Sequence, residues 1–144
     1  MKTLYETTIS ANGGRNGRAR STDGQLDFPL AMPTALGGTG DGLNPEQLFA
    51  AGYAACFLSA MQHTAKTNNI AVPNNASLNA TVRLMSDQPG SFALSVVLAV
   101  SLPGMHQEQA VTLVEKAHAV CPYSKATRGN IEVRLVVLTQ TVSS

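Results

Sequence analysis

The stretch Asn44-Pro45-Glu46-Gln47-Leu48-Phe49-Ala50-Ala51-Gly52-Tyr53-Ala54-Ala55-Cys56-Phe57-Leu58-Ser59-Ala60-Met61 opens a helix and then shows no polar face. Asn44 can cap, Pro45 suits the first helical position, and Gln47 completes a capping box. Leu43 and Leu48 are spaced for a hydrophobic staple. The helix is expected to reach about Thr67, because Asn68-Asn69 and Pro73 end it. From Leu48 to Met61 every side is apolar or small, and a helix without a polar face must be buried all round. One sheet from a 144-residue chain can hardly wrap it, whereas a second copy of the chain could.

Upstream, residues 3 to 11 alternate in strand fashion around Leu4 and Ile9. Asn12-Gly13-Gly14 and Asn16-Gly17 are turn signals before a second short strand over Arg18 to Thr22. Asp23-Gly24 turns the chain into a third strand near Gln25 to Leu30. Pro29, Pro33 and the glycines of 37 to 42 predict a loop. Downstream, Leu78, Ala80, Val82 and Leu84 alternate, then Phe92, Leu94, Val96, Leu98, Val100 and Leu102, with a turn at Asp87-Gln88-Pro89-Gly90. Pro103-Gly104 breaks the second of these strands. Ala110, Leu113, Val114, Ala117 and Cys121 recur at helical spacing, so a second helix is expected to run to about Val120, where Pro122 stops it. Ile131, Val133, Leu135 and Val137 form a last strand. The expected architecture is α+β in a single domain over 1–144, with six mostly antiparallel strands and two main helices, one of them central and buried.

Net charge is +1 and charged residues make up 13% of the chain, about half the usual share of roughly 25%. No strong field favours nucleic acid or an anionic membrane. So few charges point to an extensive buried subunit interface. The start, Met-Lys-Thr-Leu-Tyr-Glu, has no apolar core of a signal peptide. The apolar run of 48 to 61 is too short to span a bilayer. A cytoplasmic location is expected, where thiols are kept reduced. Two cysteines there are either inert core residues or redox groups.

Cys56 lies in the middle of the first helix, with Gly52 one turn earlier leaving space beside the sulfur. Cys121 lies on the apolar face of the second helix, at its C-terminal end. Buried cysteine commonly acts as a small hydrophobe. A redox reading assigns the two thiols different parts. Mid-helix Cys56 gains little from the helix dipole, burial raises its pKa, and reactivity requires a cation from elsewhere. Cys121, at a negative helix end, is the poorer thiolate. A functional pair therefore has Cys56 attacking and Cys121 resolving. Arg15, Arg18 and Arg20 are the candidate cations. Arg18 and Arg20 share a strand face and read as a solvated edge, while Arg15 sits in a glycine-flanked turn able to aim a side chain inward. A buried arginine needs a carboxylate. Glu46 is either that partner or a simple complement to the helix N-terminus. Ten residues separate it from Cys56, about 15 Å along the axis, so it cannot touch the sulfur itself.

Gly13-Gly14-Arg15-Asn16-Gly17, the run from Asn44 to Phe57, and Cys121-Pro122-Tyr123-Ser124-Lys125-Ala126-Thr127-Arg128-Gly129-Asn130 closely resemble the organic hydroperoxide resistance proteins (Ohr), one branch of the Ohr/OsmC superfamily. The resemblance covers almost the whole chain. It implies an OsmC-like fold in an intertwined homodimer that reduces organic hydroperoxides. It also implies a peroxidatic Cys56, a resolving Cys121, an Arg15 that stabilises the thiolate and a Glu46 that holds the arginine. No bound cofactor is implied; the reductant is a lipoyl dithiol, from a lipoylated protein or dihydrolipoamide. Leu43, where relatives often carry Thr, departs from the pattern only locally.

Other readings are weaker. Gly37-Gly38-Thr39-Gly40-Asp41-Gly42 lacks Gly-Lys-Ser/Thr and carries Asp41, so it reads as a mobile loop rather than a phosphate cradle. Cys56 and His63 are two turns apart, about 10 Å, too far to share a zinc ion. His118 and Cys121 could share a helical face. A cysteine hydrolase needs a nearby base, and His63, His106 and His118 read as partly exposed helix residues. Tyr123 can hydrogen-bond near the site or simply pack. Phe49 and Phe57 flank Cys56, and Phe28, Leu30, Met32 and Leu36 dot a loop, which suggests an apolar approach for an alkyl hydroperoxide. The alternatives are an OsmC-branch peroxidase, a redox sensor and a non-catalytic ligand-binding dimer.

Overall fold

A computed structural model describes residues 1–140. The chain packs as two compact units, Met1–Leu48 and Phe49 onward. The first unit holds a small antiparallel sheet of β1 (Ile9–Asn12), β2 (Arg18–Ser21) and β3 (Asp27–Pro29), in that order. β1 is shorter than the alternation over 3 to 11 suggested. Its register runs only from Ile9 opposite Ser21 to Asn12 opposite Arg18. The pairing extends one step further, with the Thr22 amide donating to the Thr8 carbonyl at 3.2 Å, and Leu4 and Tyr5 before it stay exposed. A 3-10 turn, Gly14–Asn16, joins β1 to β2. Gly13 takes a φ of 71°, and a Cβ on Gly17 would overlap the Asn12 carbonyl, so these two positions require glycine. The stretch from 30 to 43 closes on itself, with Leu30 bridged to Leu43. In it the Gly38 and Gly40 amides donate to the Pro33 and Met32 carbonyls and are not free to cradle an anion.

The helix α1 spans Pro45–Thr67, and its capping box forms as read. The Gln47 amide donates to Asn44 Oδ1 at 2.9 Å, and the Asn44 amide to Gln47 Oε1 at 3.1 Å. Leu43 and Leu48 each remain more than a third exposed. The expectation that α1 is buried on every side is not met within one chain. Tyr53, Phe57, Met61, Thr64 and Ala65 form one buried stripe, while Ala51, Ala55 and Ser59 are exposed. One sheet and one further helix cover a single face.

That sheet joins β4 (Ser77–Gln88), β5 (Ser91–Ser101) and β6 (Val133–Leu138) in this order. β4 and β5 form an antiparallel hairpin, and β6 runs parallel to β5 with Val96 opposite Val133. The six strands thus fall into two three-stranded sheets. Val96, Leu98, Val100 and Leu102 alternate into the core. They meet α2 (Gln107–Val120) through Ala110, Leu113, Val114 and Ala117, a stripe at helical spacing.

A third helix, α3 (Pro122–Thr127), was not anticipated. Pro122 ends α2 as expected, but it also occupies the first position of α3. Cys121 therefore does not lie on α2. A residue before proline is driven out of the helical region, and Cys121 takes φ −63°, ψ 125° as the corner between the two helices. Its amide donates to the Ala117 carbonyl at 2.8 Å and its carbonyl accepts from Lys125 at 3.0 Å. The negative end of α2 and the positive end of α3 meet here, so Cys121 is not at an unopposed negative helix end. Among the described residues, no helix is long and apolar enough to cross a membrane.

Candidate active site

Arg15 and Glu46 come together, as the reading of Glu46 as the arginine's carboxylate partner required. Arg15 Nη1 donates to Glu46 Oε2 at 2.8 Å and Nη2 to Oε1 at 2.6 Å, a bidentate fork that fixes the guanidinium plane. The 3-10 turn presents Arg15, and the capped first turn of α1 presents Glu46. Hydrogen bonding by Arg15 holds the Glu46 carboxyl below the usual carboxylate range, against partial burial. Arg18 and Arg20 both turn to Asp27, at 2.6 and 3.8 Å, on the exposed edge anticipated for them.

Cys56 and Cys121 come together in the second unit. Both are free thiols; Cys56 is partly exposed and Cys121 is fully buried. Cys121 is close enough to Cys56 to act on its thiol directly. Burial pushes the Cys56 thiol up, its neighbour Cys121 adds to this, and the Tyr123 backbone amide pulls the other way.

Gly52 does not hold open space beside the sulfur. Its bare Cα makes room for Tyr123: a Cβ there would fall 2.5 Å from Tyr123 Oη. Tyr123 packs against Phe49 and Tyr53 with ring centroids 6.1 and 5.7 Å away. Phe57, read as a wall of the approach, is instead wholly buried in the core and faces the His118 ring at 6.4 Å. Phe49, half-buried, keeps its place beside Tyr123.

Sequence reasoning missed the polar groups behind the cysteines. Ser124 Oγ lies 2.8 Å from Tyr53 Oη and 2.7 Å from His118 Nδ1. Burial and the Arg128 charge hold the His118 imidazole below its usual pKa. Nothing in the chain order links Tyr53 to Ser124, which is 71 residues away. Among the described residues, no group of three or more His, Cys, Asp or Glu side chains is placed to hold a metal ion.

A fold with a long helix beside a three-stranded sheet, and two apposed thiols at its centre, matches a known class. The family model described as OsmC-like protein matches residues 38–136, and the chain belongs to that family. Within it, the chain is similar to the Organic hydroperoxide resistance protein of Xanthomonas axonopodis pv. citri (strain 306), 50% identical over 137 residues, 94% of this chain and 96% of the relative. It is 47% identical over 133 residues to the Organic hydroperoxide resistance protein OhrB of Bacillus subtilis (strain 168), 92% of this chain and 96% of that one. The crystal structure of an organic hydroperoxide resistance protein from Legionella pneumophila superposes with a TM-score of 0.90 at 50% identity, covering 95% of this chain and 99% of that chain.

Proposed function

We propose that this protein is a thiol peroxidase that reduces organic hydroperoxides to alcohols. The apposition of a partly exposed Cys56 and a buried Cys121 carries the reading. The names of the relatives supply the substrate class. In the first step the Cys56 thiolate attacks the terminal oxygen of ROOH. The O–O bond breaks, ROH leaves with a proton, and Cys56 becomes a sulfenic acid. Cys121 then displaces water and forms a Cys56–Cys121 disulfide. A lipoyl dithiol, from a lipoylated protein or dihydrolipoamide, exchanges with that disulfide and restores both thiols.

Attack by Cys56 has one further requirement, a cation near its sulfur. Burial and the neighbouring Cys121 push the Cys56 thiol up, so unaided it stays mostly protonated at neutral pH. Arg15 is the cation proposed to stabilise the thiolate and the charge developing on the peroxide oxygens, with Glu46 fixing its direction. The half-buried Phe49 and the exposed edge of Tyr123 offer apolar contact for the alkyl part, about 0.8 kcal/mol per buried methylene, which hydrogen peroxide cannot exploit. We further place the protein in the cytoplasm, as a homodimer whose second copy covers the exposed small-residue face of α1.

One turnover with cumene hydroperoxide, followed by mass mapping, tests the reading. The expected product is the Cys56–Cys121 disulfide, with dihydrolipoamide restoring the thiols. Cys56→Ser should abolish consumption, while Cys121→Ser should allow a single oxidation of Cys56. A Cys56→Ser protein that turns over hydroperoxide normally would reverse the assignment.

A further inference from the structure

The buried polar groups behind the cysteines take no part in the cycle above, yet they form one continuous chain. Tyr53 Oη reaches Ser124 Oγ at 2.8 Å and Thr127 Oγ1 at 3.3 Å, and His118 Nδ1 reaches Ser124 Oγ at 2.7 Å. Thr127 Oγ1 donates to the Ser124 carbonyl at 3.1 Å, and Arg128 Nη2 donates to the His118 carbonyl at 2.7 Å. Tyr53 and Ser124 are wholly buried. The placement is specific. Tyr53 is three residues before Cys56 on α1, and His118 and Ser124 lie three residues to either side of Cys121. One hydroxyl, Ser124, thus ties α3 to α1 through Tyr53 and to α2 through His118. The corner they enclose has Cys121 at its apex. The chain can be satisfied in two directions: from Tyr53 through Ser124 to a bare Nδ1, or from a protonated Nδ1 through Ser124 and Tyr53 to Thr127. It therefore holds whichever tautomer His118 adopts.

We propose that the Tyr53–Ser124–His118 chain is the positioning element for the second chemical step, holding the α2–α3 corner so that Cys121 stays aligned with Cys56 once Cys56 is oxidised. This rests on the peroxidase reading of the pair. In that step the Cys121 sulfur attacks the sulfur of the Cys56 sulfenic acid. The S–S bond forms, the S–O bond breaks, and hydroxide leaves as water with the Cys121 proton; no further oxidant is consumed. The two sulfurs must close to about 2.05 Å in a narrow range of dihedral angle. Oxidation of Cys56 by ROOH needs no such approach. Loosening the corner should therefore slow the second step and spare the first.

The test is quenched single turnover of the full-length reduced protein with one equivalent of cumene hydroperoxide, quantifying Cys56 sulfenic acid as its dimedone adduct and the disulfide by mass. In Ser124→Ala, Tyr53→Phe and His118→Leu we expect disulfide formation to slow by about tenfold, or about 1.4 kcal/mol. Sulfenic acid should accumulate while its rate of formation stays within about twofold. His118→Asn places an amide near the lost Nδ1 and should recover most of the disulfide rate. Equal slowing of both steps, no slowing of disulfide formation, or equal defects in His118→Leu and His118→Asn would overturn the positioning role. Should Ser124→Ala show no cooperative melt, Tyr53→Phe and the two His118 variants decide. A wild-type protein that consumes no hydroperoxide sinks the parent reading instead, a result distinct from a wild type with normal turnover and indifferent variants.

Discussion

Gly52→Ala measures how closely α3 is docked on α1. At an open helical site the change should stabilise by about 1 kcal/mol, because alanine loses less backbone entropy. Here the new Cβ would stand 2.5 Å from Tyr123 Oη, 3.0 Å from Cζ and 3.1 Å from Cε2. A whole ring edge must move, not one atom, and overpacking of this kind costs about 1–3 kcal/mol. Displacing the ring also disturbs its packing on Phe49 and Tyr53, worth about 0.5–1.5 kcal/mol per aromatic pair. The clash outweighs the propensity gain, so Gly52→Ala should destabilise by about 0.5–2 kcal/mol. In a Tyr123→Ala background the obstacle is gone, and the same change should stabilise by about 1 kcal/mol. The coupling across the cycle is then about 1.5–3 kcal/mol. Urea unfolding of the four proteins, reduced and at one fixed concentration, reads it directly. A stabilising Gly52→Ala of similar size in both backgrounds would refute the account of Gly52 as room made for Tyr123.

Arg15→Ala should slow oxidation of Cys56 by organic hydroperoxide by about 10- to 100-fold, with Arg18→Ala near wild type and Glu46→Gln weaker than Arg15→Ala; equal losses from the two arginines would mean general positive charge rather than a directed contact. The Arg15–Glu46 pair also has a pH signature. The folded Glu46 carboxyl is held below its ordinary value, so its contribution is present above about pH 4.3 and is lost as pH falls through the lower folded value; Glu46→Gln should flatten that part of the stability profile, and an unchanged acid limb would count against the pair. The apolar outer face of α1 predicts a dimer by sedimentation at micromolar concentration, broken by Ala55→Arg; a well-folded wild-type monomer would remove the dimer proposal.

Where a feature depended on neighbours along the chain, the amino-acid order was enough. The bounds of α1 follow from Asn44, Pro45, Gln47 and the Asn68-Asn69 stop, all within a few residues of the backbone groups they cap or interrupt. The alternation of β5 and the stripe of α2 could be read for the same reason. The sequence alone leaves the pairing of Arg15 with Glu46 as one of two readings, since a glycine-flanked turn and a helix start share no local constraint. The end of α2 at Val120 is legible in the sequence, but Cys121, read on the apolar face of that helix, is the corner residue just beyond it. The bias of Pro122 against a helical predecessor was legible, but the second helix it opens was not. The shortness of β1 and the one-sided burial of α1 depend on which surfaces are available to cover them, and that is a property of the folded chain. Local sequence therefore determined the long elements and named the two cysteines. Only tertiary packing decided that Gly52 accommodates a tyrosine ring, that Phe57 belongs to the core, and that Tyr53, His118 and Ser124 meet behind the thiols. Those contacts join residues far apart in the chain, and their partners are selected by shape and hydrogen-bond satisfaction in the buried interior rather than by spacing.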